Sequence, residues 1–323
     1  MRACSVTMIL AAAACCCGFL APSVRAEDSA YPPVVIMHGI LGTAENLETV
    51  AEWIREQLPG IYVKSMEVGN GALDSVFMDM NKQVELFCEN IYADEKLKDG
   101  FNLIGFSQGG LVSRGYLQRC NKYPVINFIS WASPQGGQFG GVEALVPPVV
   151  SVIFGRAPYS PLMQSGLALA QYWRDPYALD LYRSNSSFLA DLNNERPEKN
   201  ETYKKHITSL KSMMLLHSTV DEVISPPTSG WFETFLPFTG PGEKGVVVPL
   251  RQSLLYLQDW IGLKVLDKSG RLQMHTSDCA HEDHPNAACK HSFDLYTLPL
   301  ISETWDSVRS WRVKNPMYAL NAH

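Results

Sequence analysis

Beyond its N-terminal segment, the chain has no apolar run of the roughly 20 residues that a bilayer span requires, so no stable membrane span is expected. It also has no basic tract, internal repeat or low-complexity segment. Lys and Arg number 27 against 33 Asp and Glu, for a formal net charge of −6. A chain without a basic patch cannot follow a phosphate backbone, which excludes nucleic acid as a partner class. Metal signatures are lacking too, with neither H-E-x-x-H nor paired C-x-x-C. The stretch Cys279-Ala280-His281-Glu282-Asp283-His284, followed by Cys289, offers zinc-type ligands without zinc-type spacing, so no metal and no other cofactor is expected.

The N-terminus carries Arg2, an apolar stretch from Met8 to Leu20, and then Val24-Arg25-Ala26, whose small residues suit signal peptidase. Residues 1–26 are therefore expected to be a signal peptide and 27–323 one domain, lysosomal or secreted. Four of the eight cysteines lie in the signal; Cys88, Cys120, Cys279 and Cys289 remain. An even number in an exported chain favours disulfides. The sequons at Asn185 and Asn200 fit the same compartment and predict glycosylation there.

Apolar runs at Val34–Met37, Phe101–Ile104, Ile126–Trp131 and Met213–Leu216 read as buried strands. Between them, Glu45–Leu58, Asp74–Asn90 and Gln108–Cys120 have helical spacing. This alternation predicts an α/β fold with a mostly parallel central sheet flanked by helices. It breaks down around 136–185, where Gly, Pro and large apolar residues such as Leu145–Val150 and Ala168–Trp173 predict an inserted apolar cap. A satellite core is the plainer reading of the same side chains. Ser225–Gly245, rich in Pro and Gly, reads as a surface crossing.

The sharpest chemical signal is Gly105-Phe106-Ser107-Gln108-Gly109-Gly110 between a strand and a helix. It fits a nucleophile elbow, in which a strained turn lifts the Ser107 hydroxyl above the sheet and flanking glycines admit the close approach. Val34-Val35-Ile36-Met37-His38-Gly39-Ile40-Leu41 runs a strand into a loop suited to supplying an oxyanion-hole amide. Gln108 and Ile40 are the expected donor pair, with Leu41 as the neighbour of Ile40; His38 precedes the serine and reads as a brace for the loop. An acid is expected after a later strand, which puts Asp221 first and Glu222 second. The base must come later still, and pattern alone leaves His275, His281, His284 and His291 open.

From about Pro33 to about Pro299 the chain resembles the palmitoyl-protein thioesterase family of lysosomal α/β-hydrolases. The resemblance rests on the elbow, on Asn185-Ser186-Ser187-Phe188-Leu189-Ala190-Asp191-Leu192-Asn193, on Asn200-Glu201-Thr202-Tyr203-Lys204-Lys205 and on Ser218-Thr219-Val220-Asp221. It implies the α/β-hydrolase fold, disulfides Cys88–Cys120 and Cys279–Cys289, and a triad of Ser107, Asp221 and His284, with His281 the second choice of base. The implied function is a serine hydrolase cleaving long-chain fatty acyl thioesters through an acyl-enzyme, its substrate an S-acylated protein or peptide, or an acyl-CoA. Ser133-Pro134-Gln135-Gly136-Gly137-Gln138-Phe139-Gly140 and the cysteines around the base resemble a second branch, associated with acyl-CoA and smaller thioesters. Two other readings stand beside this one: an oxygen-ester lipase or esterase on the same fold, and an inactive lipid-binding protein.

Overall fold

Each of the four apolar runs forms a strand, and two further strands complete a six-stranded sheet. In chain order the strands are β1 (Val34–Met37), β2 (Val63–Met66), β3 (Phe101–Phe106), β4 (Val125–Trp131), β5 (Ser212–Ser218), a small antiparallel hairpin of β6 (Thr234–Phe235) and β7 (Val247–Val248), and β8 (Leu272–Ser277). The sheet order is β2-β1-β3-β4-β5-β8, with every pairing parallel. The computed structural model describes residues 29–141, 157–240 and 245–316. The expected signal peptide and Leu145–Val150 lie outside them.

Because successive side chains on a strand point to opposite faces, the apolar runs feed two cores at once. Val35, Met37, Leu103, Phe128, Met213 and Leu215 face one layer, where Phe87 and Tyr116 pack on them. Val34, Ile36, Ile104, Ile129, Met214 and Leu216 face the other, against Trp53 and Phe293. The helices that follow the first strands are α1 (Glu48–Gln57), α2 (Ala72–Phe77), α3 (Met80–Tyr92) and α4 (Gln108–Arg119). A parallel sheet covered on both faces, with a nucleophile turn between β3 and α4, is the α/β-hydrolase fold.

The stretch expected as one helix from Asp74 to Asn90 is two. Met78 is extended, and the Asp79 side chain caps α3 by accepting from the amides of Asn81 (2.7 Å) and Lys82 (3.3 Å). A capping carboxylate in a continuous apolar pattern starts a second helix that periodicity alone merges with the first. Within the crossover from β4 to β5, Leu167–Tyr172 is buried against the main core.

The Cys88–Cys120 bridge ties α3 to the end of α4 across 32 residues of chain. Replacing both cysteines with Ala should lower unfolding free energy by about 3–4 kcal/mol through the larger entropy of the unfolded chain. Urea titration checks this, and a loss below about 1 kcal/mol would show that the bridge constrains little.

Candidate active site

The turn from β3 into α4 holds Ser107 at φ 53° and ψ −130°, a region that costs a non-glycine residue backbone strain. The turn is fixed from both sides. The Ser107 amide donates to the Trp131 carbonyl at 2.9 Å, and the Gly110 amide donates to the Ser107 carbonyl at 3.0 Å. A side chain on Gly105 would bring its Cβ within 2.5 Å of the Gly110 Cα, and one on Gly109 would strike the main-chain oxygens of Met37 and His38. The glycines are therefore required by the packing of β1 and β3 against the start of α4.

β5 ends at Ser218, whose hydroxyl accepts from the Val220 amide at 3.0 Å and donates to the Cys279 carbonyl at 2.5 Å. This knots the loop after β5 to the loop after β8, and the knot brings Asp221 to the histidine region. His281 lies between Asp221 and Ser107. Its Nδ1 is 2.9 Å from Asp221 Oδ2 and its Nε2 is 3.0 Å from Ser107 Oγ. The other carboxylate oxygen of Asp221 accepts from the amides of Val223 (2.9 Å) and Ile224 (2.8 Å). Burial alone would raise the Asp221 pKa, but the hydrogen bond and charge of His281, with these two amides, outweigh it and hold the carboxyl below its ordinary range.

His284, expected as the base, does not reach Ser107. Its Nδ1 donates to the His281 carbonyl at 2.9 Å and its Nε2 accepts from Ser277 Oγ at 2.9 Å. Three residues is one turn of the 3₁₀ helix His281–Asp283, so both imidazoles lie along the Phe106 ring and local pattern does not separate them. The difference is what each ring meets: Ser107 and Asp221 for His281, the end of β8 for His284. Burial and the nearby His281 keep the His284 pKa low, outweighing the carbonyl hydrogen bond that favours its charged form. His275 stacks on Tyr296 and His291 meets Asp278 at the surface, so neither approaches Ser107.

The loop after β1, expected to supply an oxyanion-hole amide, lies against Ser107. A Cβ on Gly39 would lie 2.9 Å from the Ser107 Cβ, so this loop packs directly on the nucleophile. His38 braces it by donating from Nδ1 to the Gly39 carbonyl at 2.8 Å, and burial holds its pKa low. The Leu41 amide, at φ 60°, is taken by Ser75 Oγ at 2.7 Å. Gln108 is the first residue of α4, where a backbone amide has no intrahelical acceptor. Its side chain donates to the Ser75 carbonyl at 2.7 Å and accepts from the Tyr172 hydroxyl at 3.1 Å, and it meets Gln83 Oε1 at 3.3 Å. Ser75 thus links the loop after β1 to the start of α4. Sequence reasoning missed Ser75, Gln83 and Tyr172, which are single polar residues in helical patterns with no motif to mark them.

Cys88 pairs with Cys120 and Cys279 with Cys289. Asp278, Cys279 and His291 come within 4.8 Å of one another, but the Cys279 sulfur is spent in its disulfide and offers no thiolate to a metal. Asn185 and Asn200 are both exposed. Among the described residues no helix is long and apolar enough to cross a membrane.

A sequence model described as "Palmitoyl protein thioesterase" matches residues 33–281. The chain is 47% identical to palmitoyl-protein thioesterase 3 of Dictyostelium discoideum over 274 residues, 84% of this chain and 93% of that one. It is 34% identical to palmitoyl-protein thioesterase 1 of Caenorhabditis elegans over 79% of this chain and 88% of that one. With the human lysosomal thioesterase PPT2 it shares 33% identity over 76% of this chain and 80% of that one. The chain belongs to the palmitoyl protein thioesterase family.

Proposed function

We propose that the protein is a serine hydrolase that cleaves long-chain fatty acyl thioesters, with Ser107 as nucleophile, His281 as general base and Asp221 as the carboxylate that orients it. The carrying observation is the unbroken chain from Ser107 Oγ through His281 to Asp221, at 3.0 and 2.9 Å. His281 Nε2 takes the hydroxyl proton as Ser107 Oγ attacks the thioester carbonyl. The resulting oxyanion is met by the amides of Gln108 and Ile40. Leu41 is the weaker candidate because Ser75 already occupies its N–H. The C–S bond breaks, the thiol leaves with the proton from His281, and the acyl-enzyme remains. Water, deprotonated by His281, then attacks the acyl carbon, and the fatty acid leaves as Ser107 regains its proton.

Apolar side chains of the β4–β5 crossover can take the acyl chain, each buried methylene contributing up to about 0.8 kcal/mol. The sequon asparagines Asn185 and Asn200 are exposed, which supports glycosylation in an exported chain. A lysosomal or secreted localisation is supported by the apolar N-terminal segment and by the name of the human relative. An oxygen-ester lipase would use the same groups, and matched thioester and oxyester substrates separate the two. A serine-reactive fluorophosphonate that failed to label the protein would favour an inactive lipid-binding role.

Ser107→Ala should remove turnover while leaving a folded protein; a tenth of wild-type activity in that variant would refute the covalent role.

His281→Ala should lower kcat by about four orders of magnitude or more, whereas folded His284→Ala should lose less than about tenfold. Asp221→Asn should be impaired but strongly non-additive with His281→Ala, because residues acting as one unit lose a function once. A dead His284→Ala beside an active His281→Ala would reverse the assignment.

Ser75→Ala unties Leu41 and loosens the loop that presents the Ile40 amide, and should cut kcat about tenfold with KM little changed, a loss of about 1.4 kcal/mol of transition-state stabilisation. A change confined to KM would place Ser75 in ground-state binding instead.

A further inference from the structure

A cavity of about 480 Å³ opens beside the triad. One wall is the loop His38–Gly42 with Asn46 and Leu47; the other is Glu282, Pro285 and Asn286, with Phe106 and Val223 at the back. Phe106 immediately precedes Ser107, and the Val223 amide donates to Asp221, so the cavity adjoins the reacting groups. The sulfur that leaves must lie within reach of the proton on His281 Nε2. Glu282 is the next residue and is exposed on that wall.

The chemistry of the walls is one-sided. Among the described residues lining the cavity there is no lysine or arginine, and its imidazole, His38, is buried, which disfavours its charged form. The short 3₁₀ turn Ala44–Leu47 on the rim is already met by a carboxylate, since Glu67 Oε2 accepts from the Ala44 amide at 3.1 Å. A phosphate-bearing thiol needs cationic side chains or free backbone amides, and the one ionisable carboxylate among the described lining residues is Glu282. A cysteinyl peptide brings no such charge, and basic residues beside its cysteine are attracted.

Resting on the thioesterase reading above, we propose that this cavity receives the leaving-thiol half of the substrate and that Glu282 selects that half by charge. Cysteinyl peptides with neutral or basic flanks are taken over polyanionic thiols such as coenzyme A.

The test measures kcat/KM, below micellar concentrations, for four palmitoyl thioesters. The thiols are neutral N-acetylcysteamine, a cysteinyl peptide flanked by Lys, the same peptide flanked by Glu, and coenzyme A. The wild type should favour the Lys peptide over the Glu peptide by about fivefold, the scale of exposed charge pairs, and the ratio should shrink in 0.5 M salt. Palmitoyl-CoA should fall below the neutral thioester. Glu282→Lys should bring the peptide ratio to one or below and raise palmitoyl-CoA relative to the neutral substrate. A peptide ratio within twofold that Glu282→Lys does not move, or palmitoyl-CoA turned over as well as the neutral thioester, overturns charge selection while leaving the thioesterase reading intact. No turnover of the neutral thioester overturns that reading, and this proposal with it.

Discussion

Ser107 stands above the sheet because three backbones meet there without side chains between them. Gly39 comes from the loop after β1, Gly105 from the end of β3 and Gly109 from the first turn of α4; a Cβ on any of them would overlap Ser107, Gly110 or the Met37 and His38 carbonyls. This close approach has two consequences. Ser107 holds a positive-φ backbone that costs of order 1–3 kcal/mol and persists only because its surroundings over-determine it. It also sits at the start of the twelve-residue helix α4, where aligned peptide dipoles favour developing negative charge. The strain at Ser107 and its place at a helix N-terminus thus share one structural cause.

The rest of the site hangs on polar groups buried around that point. The Arg114 guanidinium is fully buried in α4, where burial pulls its pKa down to about 9. It donates to Gln135 Oε1 at 2.6 Å, to Gln118 Oε1 at 3.0 Å and to the Leu192 carbonyl at 3.4 Å. Farther out, Arg174 pairs with Glu195 at 3.2 Å, and Tyr182 donates to the same carboxylate at 2.8 Å. Buried charge is costly unless satisfied, so these contacts allow few arrangements of the long β4–β5 crossover against α4. Tyr172, from that crossover, reaches the side chain of Gln108, the residue after Ser107. The crossover is therefore coupled to the start of α4 by hydrogen bonds as well as by apolar packing.

What the sequence made legible follows from where burial is complete. The four central strands carry apolar residues on both faces and stood out as runs. β2 and β8, at the sheet edges, are only partly buried and mix Lys64, Ser65, Gln273 and Thr276 into their pattern, so no run marks them. The elbow was legible because its glycines are a steric requirement within one short segment. The partner of Ser107 was not, because the choice between His281 and His284 depends on how the loop after β8 meets the loop after β5. That meeting is made by Ser218 and the Cys279 carbonyl, which lie 61 residues apart. Distant contacts of this kind leave no periodicity. The network of Ser75, Gln83 and Tyr172 was invisible for the same reason.

The titrating groups divide the fold and the proposed chemistry into separate pH windows. His38, His206 and His284 have pKa values lowered chiefly by burial, so the folded state binds fewer protons than the unfolded one. Their contribution to stability is complete above the ordinary histidine pKa of about 6.5 and declines as pH falls from there toward the lowered values. Asp221 works lower. Its depressed pKa leaves it ionised through that decline, and its contribution is lost only as pH falls below the ordinary carboxylate value of about 3.9. In an acidic compartment the carboxylate facing His281 would therefore keep its charge while the buried imidazoles weaken the scaffold around it. The two disulfides do not titrate, and Cys279–Cys289 encloses both His281 and His284 within ten residues of chain. That places a pH-independent constraint on the segment where the proposed base sits and where one of the acid-sensitive imidazoles packs beneath it.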